Sequence, residues 1–85
     1  MSSELEAAFR TARDRVESLP ERPGNADLLR LYAHYKQATE GDCAGERPGA
    51  FDFVKRAKFD AWAALRGMNP QAAMQAYIDL IDSLS

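Results

Sequence analysis

Residues 25–41 read NADLLRLYAHYKQATEG. Apolar side chains recur in this segment every three or four positions, which is the spacing of one helical face. We therefore predict a helix over 26–40, with Asn25 as its amino-terminal cap and Gly41 as its carboxyl-terminal cap. On a wheel of 100° per residue, five side chains lie within roughly 120° of one another: Tyr35, Leu28, Tyr32, Lys36 and Leu29. Two phenols and an ammonium therefore share one face of this helix.

The opposite side of the helix carries Arg30, His34 and Gln37, a pattern that indicates a solvent-exposed face. The next residues, 42–50, are rich in turn formers and predict an ordered loop that contains Cys43. A single cysteine cannot form an internal disulfide, and a single histidine leaves no zinc-ligand spacing. Because nothing pairs Cys43 with His34 as a base, we interpret Cys43 as a loop residue rather than a nucleophile.

Helical spacing also predicts elements on both sides of this segment. One helix is expected over 4–19 and another over 52–66, and a fourth begins at Pro70 with Asn69 as its cap. Four large apolar side chains are expected in the core: Phe9, Trp62, Ile78 and Ile81. Because the sequence has neither strand-like alternation nor an internal repeat, we predict a single all-α domain over residues 1–85.

Composition narrows the class of protein. With 46% apolar and 28% charged residues, the chain has the balance of a soluble globular domain rather than a disordered one. The net charge of −2 gives no general attraction for a polyphosphate backbone, so we expect no nucleic-acid partner. Met1–Glu4 lacks the basic region of a signal peptide, and no run approaches the ~20 apolar residues of a membrane span. We expect a cytoplasmic monomer without stable membrane insertion.

Lys58 interrupts the apolar stripe of the third predicted helix, between Val54 and Trp62. Either its methylene stem covers Trp62 while the ammonium reaches water, or the charge is held over a concave surface. Lys36 repeats the arrangement one turn after Tyr32, which favours a shared anion site. Two ammoniums and a phenolic hydroxyl suit a phosphate, and tyrosines that stack on a planar ring favour a nucleotide that carries one.

These residues lie in segments that match a known family in order and spacing over nearly the whole chain. The segments are LYAHYKQATEGD at 31–42, ERPG at 46–49, DF at 52–53, AKFDAW at 57–62 and AMQAYI at 73–78. The chain closely resembles the acyl-coenzyme A binding protein family. The resemblance implies an up-down-down-up four-helix bundle that forms a shallow bowl for the ligand.

The resemblance also implies which residues bind. Tyr32, Lys36 and Lys58 would hold the adenosine 3′-phosphate, and Tyr35 would stack on the adenine. The other side chains that it places at or beside the ligand are Tyr77, Leu28, Leu29, Ala57, Arg13 and Arg22. Tyr77 is also compatible with a core position, and the Arg13 side chain is an addition to the family pattern.

Three residues depart from the family pattern. Glu17 stands where many members carry a lysine near the ligand, so we expect weaker phosphate binding. Phe59 replaces a common tryptophan, which removes an indole N–H, and Val54 replaces a frequent lysine. The residues that would hold the phosphate are all present.

The resemblance implies a soluble carrier and pool former for long-chain fatty acyl-CoA that shields the thioester and supplies acyl-CoA-using lipid enzymes. We expect no catalysis and no cofactor or metal. One alternative is a helical adaptor whose Tyr32, Tyr35 and Lys36 face binds a protein helix. The other is an acyl-CoA hydrolase or isomerase, which is disfavoured because we find no Ser/His/Asp arrangement, no glycine-rich oxyanion loop and no carboxylate in the predicted bowl.

Overall fold

A computed structural model describes residues 3–85 of the chain. It contains four α-helices: α1 (Ser3–Arg15), α2 (Asn25–Glu40), α3 (Phe53–Ala63) and α4 (Pro70–Leu84). A short 3-10 helix, Val16–Ser18, continues α1, and no strand is present in the described part of the chain. The all-α four-helix prediction is confirmed. Met1 and Ser2, which entered the argument against a signal peptide, lie outside the described residues.

The helices form a flat body of 38 × 31 × 15 Å. Helix α4 packs against both α1 and α2, whereas α3 packs against α2. The core comes from α1, α2 and α4, and its buried members are Phe9, Ala12, Leu31, Ala38, Ala73, Tyr77 and Ile81. Within α3, all of which is described, no side chain is fully buried. The third helix is therefore attached to one side of a three-helix core.

The ends of the first two helices differ from the prediction for physical reasons. The expected helix over 4–19 is α-helical only to Arg15, and Leu19 is extended at φ −63° and ψ 144°. Leu19 precedes Pro20, which disfavours helical backbone at the residue before it. Asn25 is the first helical residue rather than the cap, because Gly24 takes the extended cap conformation and no side chain caps the helix.

The predicted ends of the later helices are closer to the structure. Gly41, at φ 82°, ends α2 as expected. The expected helix over 52–66 is α-helical to Ala63 and continues as tighter turns until Gly67, at φ 90°. Asn69 caps α4 as predicted, since its Oδ1 accepts from the Ala72 N–H at 2.7 Å, with Pro70 at the first position.

The position of Gln37 differs most clearly from the one predicted from the sequence. It was expected on a solvated face, yet it is only 1% exposed. Its Nε2 donates to Asp42 Oδ1 at 2.8 Å and to the Met68 carbonyl at 2.9 Å. Asp42 Oδ1 also accepts from the Gly67 N–H at 2.9 Å. The hydrogen bonds from Gly67 and from Gln37 hold the pKa of Asp42 below its usual range. The segments after α2 and α3 fold over this side of α2 and cover Gln37.

Polar contacts join the loop after α2 to α3 and to the turns that follow α3. The Trp62 Nε1–H donates to the Gly41 carbonyl at 2.8 Å, and Arg66 Nε donates to the Cys43 carbonyl at 3.0 Å. Arg47 makes a bidentate pair with Asp60 at 2.9 and 2.7 Å. Cys43 is a loop residue as predicted, and its side chain is buried.

Other burial predictions are partly correct. Phe9 and Ile81 are buried in the core, whereas Trp62 and Ile78 are only partly buried. His34 is half-buried rather than exposed, with Nδ1 2.7 Å from the Arg30 carbonyl oxygen. None of the helices described here has the length and apolar character needed to cross a bilayer.

Candidate functional site

A cavity of about 630 Å³ opens between α1 and α2, with one contribution from α4. The side chains from the α1 side are Arg13, Asp14, Val16 and Glu17; those from α2 and α4 are Leu28, Leu31, Tyr32, Tyr35, Lys36 and Tyr77. We call this the first cavity. It brings together charged groups, phenols and a few aliphatic side chains.

A second cavity of about 470 Å³ lies between α2 and α3. Its walls are Arg22, Asn25, Leu28, Leu29, Phe53, Val54, Ala57 and Lys58. Leu28 lines both cavities, so the two adjoin. Each of the ten residues expected at a ligand lines one cavity or the other, which shows their placement and leaves their roles as predictions.

Two lysines from different helices converge on the ring of Tyr32. Lys36 Nζ lies 5.9 Å and Lys58 Nζ 5.2 Å from the ring centroid. Lys36 Nζ also lies 5.1 Å from the centroid of the Trp62 ring. Lys58 is exposed, and its ammonium lies over a tyrosine that lines the first cavity, so a charge that reaches water and a charge beside a concavity both fit its position.

Lys36 also pairs with Glu40, one turn further along α2. The Glu40 carboxylate accepts a hydrogen bond from the ammonium and raises the pKa of Lys36. Lys36 is therefore charged at neutral pH, and an incoming anion would compete with Glu40 for it.

An aromatic cluster joins the first cavity to the core: Tyr35 and Tyr77 line the cavity, and Phe9 packs against both from the core. The Tyr35 ring stacks on Phe9 with centroids 5.7 Å apart, and Arg13 Cζ lies 4.5 Å from the Tyr35 centroid. Tyr77 meets Phe9 edge-on at 5.2 Å and is 3% exposed. Burial raises the pKa of Tyr77, so its phenol is neutral at neutral pH. Tyr77 thus belongs to the core and also lines the first cavity, so its position fits both a core residue and a residue beside the ligand.

Several lining residues were not expected from the sequence, although the family resemblance had placed Glu17 near the ligand. Asp14 and Glu17 place carboxylates in the wall of the first cavity, so the expectation of a bowl without carboxylates is wrong. Asp14 lies near the end of α1 and Glu17 in the 3-10 helix that continues it, and their spacing of three residues places them on one helical face, which was a usable signal. Phe53 and Val54 line the second cavity although they are 73% and 68% exposed.

The chemistry of the two cavities differs. The first has the ammonium of Lys36, the guanidinium of Arg13 and the phenol of Tyr32, which are donors for an anion, and flat rings for a planar group. The second is mostly aliphatic and aromatic, with Arg22 and Lys58 as its cations. Over residues 3–85, no group of three His, Cys, Asp or Glu side chains is arranged to hold a metal ion.

Comparisons with known proteins identify relatives of the whole fold. A family model described as "Acyl CoA binding protein" matches residues 6–81. The chain is 46% identical over 69 residues to the acyl-CoA-binding protein of Saccharomyces cerevisiae, and the match covers 81% of this chain and 79% of that protein. A crystal structure of acyl-CoA-binding protein 2 from Oryza sativa superposes with a TM-score of 0.88 at 39% identity, covering 94% of this chain and 89% of that one.

A longer relative is also similar. The chain is 53% identical over 77 residues to enoyl-CoA delta isomerase 2 of Rattus norvegicus. That match covers 91% of this chain and 20% of the isomerase, so the chain spans about a fifth of the length of that relative.

Proposed function

Because the chain belongs to the acyl-CoA binding protein family, we propose that it binds long-chain fatty acyl-CoA across its two adjoining cavities and performs no chemistry on it. The observation that carries the proposal is the meeting of the two cavities at Leu28. One cavity offers cations and phenols, and the other is mostly apolar. This arrangement suits a ligand with an anionic nucleotide at one end and a hydrocarbon chain at the other.

In the proposed complex, the nucleotide occupies the first cavity. Tyr32, Lys36 and Lys58 bind the 3′-phosphate, which replaces Glu40 as the partner of Lys36. Each charge-assisted hydrogen bond contributes about 1.5–3 kcal/mol. The adenine stacks on Tyr35 beside Tyr77, and the Arg13 guanidinium, which lies over that ring, moves aside or stacks in turn.

The acyl chain occupies the second cavity. Leu28, Leu29 and Ala57 line it, and Phe53 and Val54 form its outer wall. Burial contributes about 0.8 kcal/mol per methylene, before losses from ordering and partial exposure. The affinity should therefore rise by orders of magnitude from free coenzyme A to a long-chain ester. The nucleotide site sets which ligand binds, and the chain sets how tightly.

We propose a carrier rather than an enzyme because, among the residues that the structure describes, no serine, cysteine or histidine lines either cavity. A hydrolase needs an activated nucleophile or an oxyanion site, and Asp14 and Glu17 supply neither alone. An isomerase could use a carboxylate as its base, but in the proposed complex both carboxylates lie in the nucleotide cavity, whereas the acyl chain occupies the other one. The proposal treats 1–85 as one acyl-CoA-binding domain, acting as a cytoplasmic monomer that shields the thioester and supplies acyl-CoA-using enzymes. Any activity of a longer protein that contains such a domain is a separate question.

The test is isothermal titration of the purified protein with palmitoyl-CoA, free coenzyme A and palmitate. We expect one-to-one binding of palmitoyl-CoA, much weaker binding of coenzyme A, and weak or no binding of palmitate. The Lys36→Ala, Lys58→Ala double variant should lose affinity at least about a hundredfold, since two charge-assisted contacts are removed.

Lys55→Ala is the matched control, because Lys55 is an exposed lysine of α3 that lines neither cavity. Its affinity should equal that of the parent protein. If palmitoyl-CoA gives no heat and does not displace a labelled acyl-CoA analogue from the protein, the proposal fails and the helical adaptor is the better hypothesis.

A further inference from the structure

Three large apolar side chains stand exposed next to one another where α3 begins. Phe51 is 91% exposed, Phe53 73% and Val54 68%. We call these three residues the Phe51 patch. Single exposed apolar residues are common on soluble proteins, but a contiguous group of large ones marks an interaction surface.

Phe51 is presented by an ordered turn. The Asp52 N–H donates to the Gly49 carbonyl at 3.0 Å, and the Asp52 carbonyl accepts from the Arg56 N–H at 2.8 Å. Phe51 therefore sits at the tip of a hydrogen-bonded turn fixed to the first turn of α3. Turn tips usually carry Gly, Asn, Asp or Ser, and a phenylalanine there has no packing role. It also lines neither cavity, so binding of the ligand does not account for it.

Several basic side chains lie near the patch. Arg22 and Lys58 share the wall of the second cavity with Phe53 and Val54, and Lys55 is exposed on the same helix. Between 51 and 58 the one acidic side chain is Asp52. The chain as a whole carries a formal charge of −2, so positive charge is concentrated at this face.

We propose that the Phe51 patch docks the protein reversibly on the surface of an anionic phospholipid bilayer. Aromatic side chains would enter the headgroup boundary while Arg22, Lys55 and Lys58 face anionic lipids. The occupant is a bilayer because exposed aromatic side chains flanked by lysine and arginine are the combination that binds an anionic membrane surface. The role rests on the proposed function, since docking here would turn the mouth of the second cavity toward the acyl chains that it accepts.

The experiment is flotation of the protein with vesicles of phosphatidylcholine alone and of phosphatidylcholine with roughly three parts in ten phosphatidylserine. We expect flotation with the anionic vesicles, loss of it on raising the salt concentration, and little with the neutral ones. Phe51→Ser should weaken binding to anionic vesicles about fivefold or more. Lys55→Glu should weaken it as well. Arg10→Glu, the same charge change at an exposed position on α1, should have a much smaller effect.

Palmitoyl-CoA titration without vesicles separates this proposal from the previous one. Phe51→Ser should bind palmitoyl-CoA like the parent protein, because Phe51 lines neither cavity. Equal flotation of the parent and Phe51→Ser proteins would overturn the docking surface, even if the ligand binds. Failure of the parent protein to float with either kind of vesicle would also overturn it and assign the patch to a protein partner.

Discussion

Charges in the first cavity nearly cancel one another. Two cations, Arg13 and Lys36, and two carboxylates, Asp14 and Glu17, line it. The proposed ligand is a polyanion, so each carboxylate opposes its binding. At about 4 Å in water, one pair of unit charges interacts by about 1 kcal/mol, and salt reduces the value further. We therefore expect Glu17 to lower the affinity for the proposed ligand, which a single substitution can test.

We predict that Glu17→Lys strengthens binding of coenzyme A and palmitoyl-CoA by about threefold to tenfold at low salt. The gain should shrink as the salt concentration rises. Isothermal titration at two salt concentrations measures it. Glu21→Lys is the control, because it makes the same change in net charge at an exposed residue that lines neither cavity. Equal gains in the two variants would show that net charge, and not the position of Glu17, sets the affinity.

Gln37 joins three elements at one buried amide. Its Nε2 links α2 to Asp42 in the following loop and to the Met68 carbonyl before α4. Removing the Gln37 amide leaves the Met68 carbonyl without this donor, at a cost of about 1–3 kcal/mol, whereas Asp42 Oδ1 keeps the Gly67 N–H. We predict that Gln37→Ala lowers the free energy of unfolding by about 2–3 kcal/mol, when the lost packing is included.

Urea denaturation followed by circular dichroism measures this loss. Gln75→Ala is the matched control, because Gln75 is exposed on α4 and its bond to Asp79 stays within one helix. It should change the free energy of unfolding by no more than about 0.5 kcal/mol. A loss for Gln37→Ala as small as that of the control would mean that the link between the three elements does not stabilise the fold.

Elements that depend on local signals were predictable from sequence. The caps at Gly41 and Asn69 follow from residues that lie next to each helix end, and both are confirmed. Gln37 was placed wrongly because a helical wheel considers one helix, whereas two distant segments fold over that side. Asp14 was missed as a cavity residue because the concavity is created by the way α1 and α2 face each other, and Glu17 was placed near the ligand only by the family resemblance. Helical periodicity alone indicated a nucleotide that carries a phosphate, and the family resemblance was needed to predict acyl-CoA as the ligand.

The whole molecule is a three-helix core with a fourth helix attached at one side. Helix α3 packs on α2 and buries no side chain completely, while α1, α2 and α4 share the core. Elements with few buried apolar contacts open more often than the core does. The second cavity lies between α2 and α3, so a ligand held there would tie the attached helix to the core.

We therefore predict that amides of α3 exchange hydrogen faster than those of α2 and α4, and that palmitoyl-CoA slows this exchange. If opening of α3 destroys the site, a ligand concentration of about 100 Kd makes that opening about a hundredfold rarer. Hydrogen–deuterium exchange with mass spectrometry measures the change. Amides of residues 4–8, at the start of α1 and outside both cavities, should change little. Protection that appears equally in residues 4–8 and in α3 would mean that the ligand stabilises the whole fold, because the site would then open only when the core does.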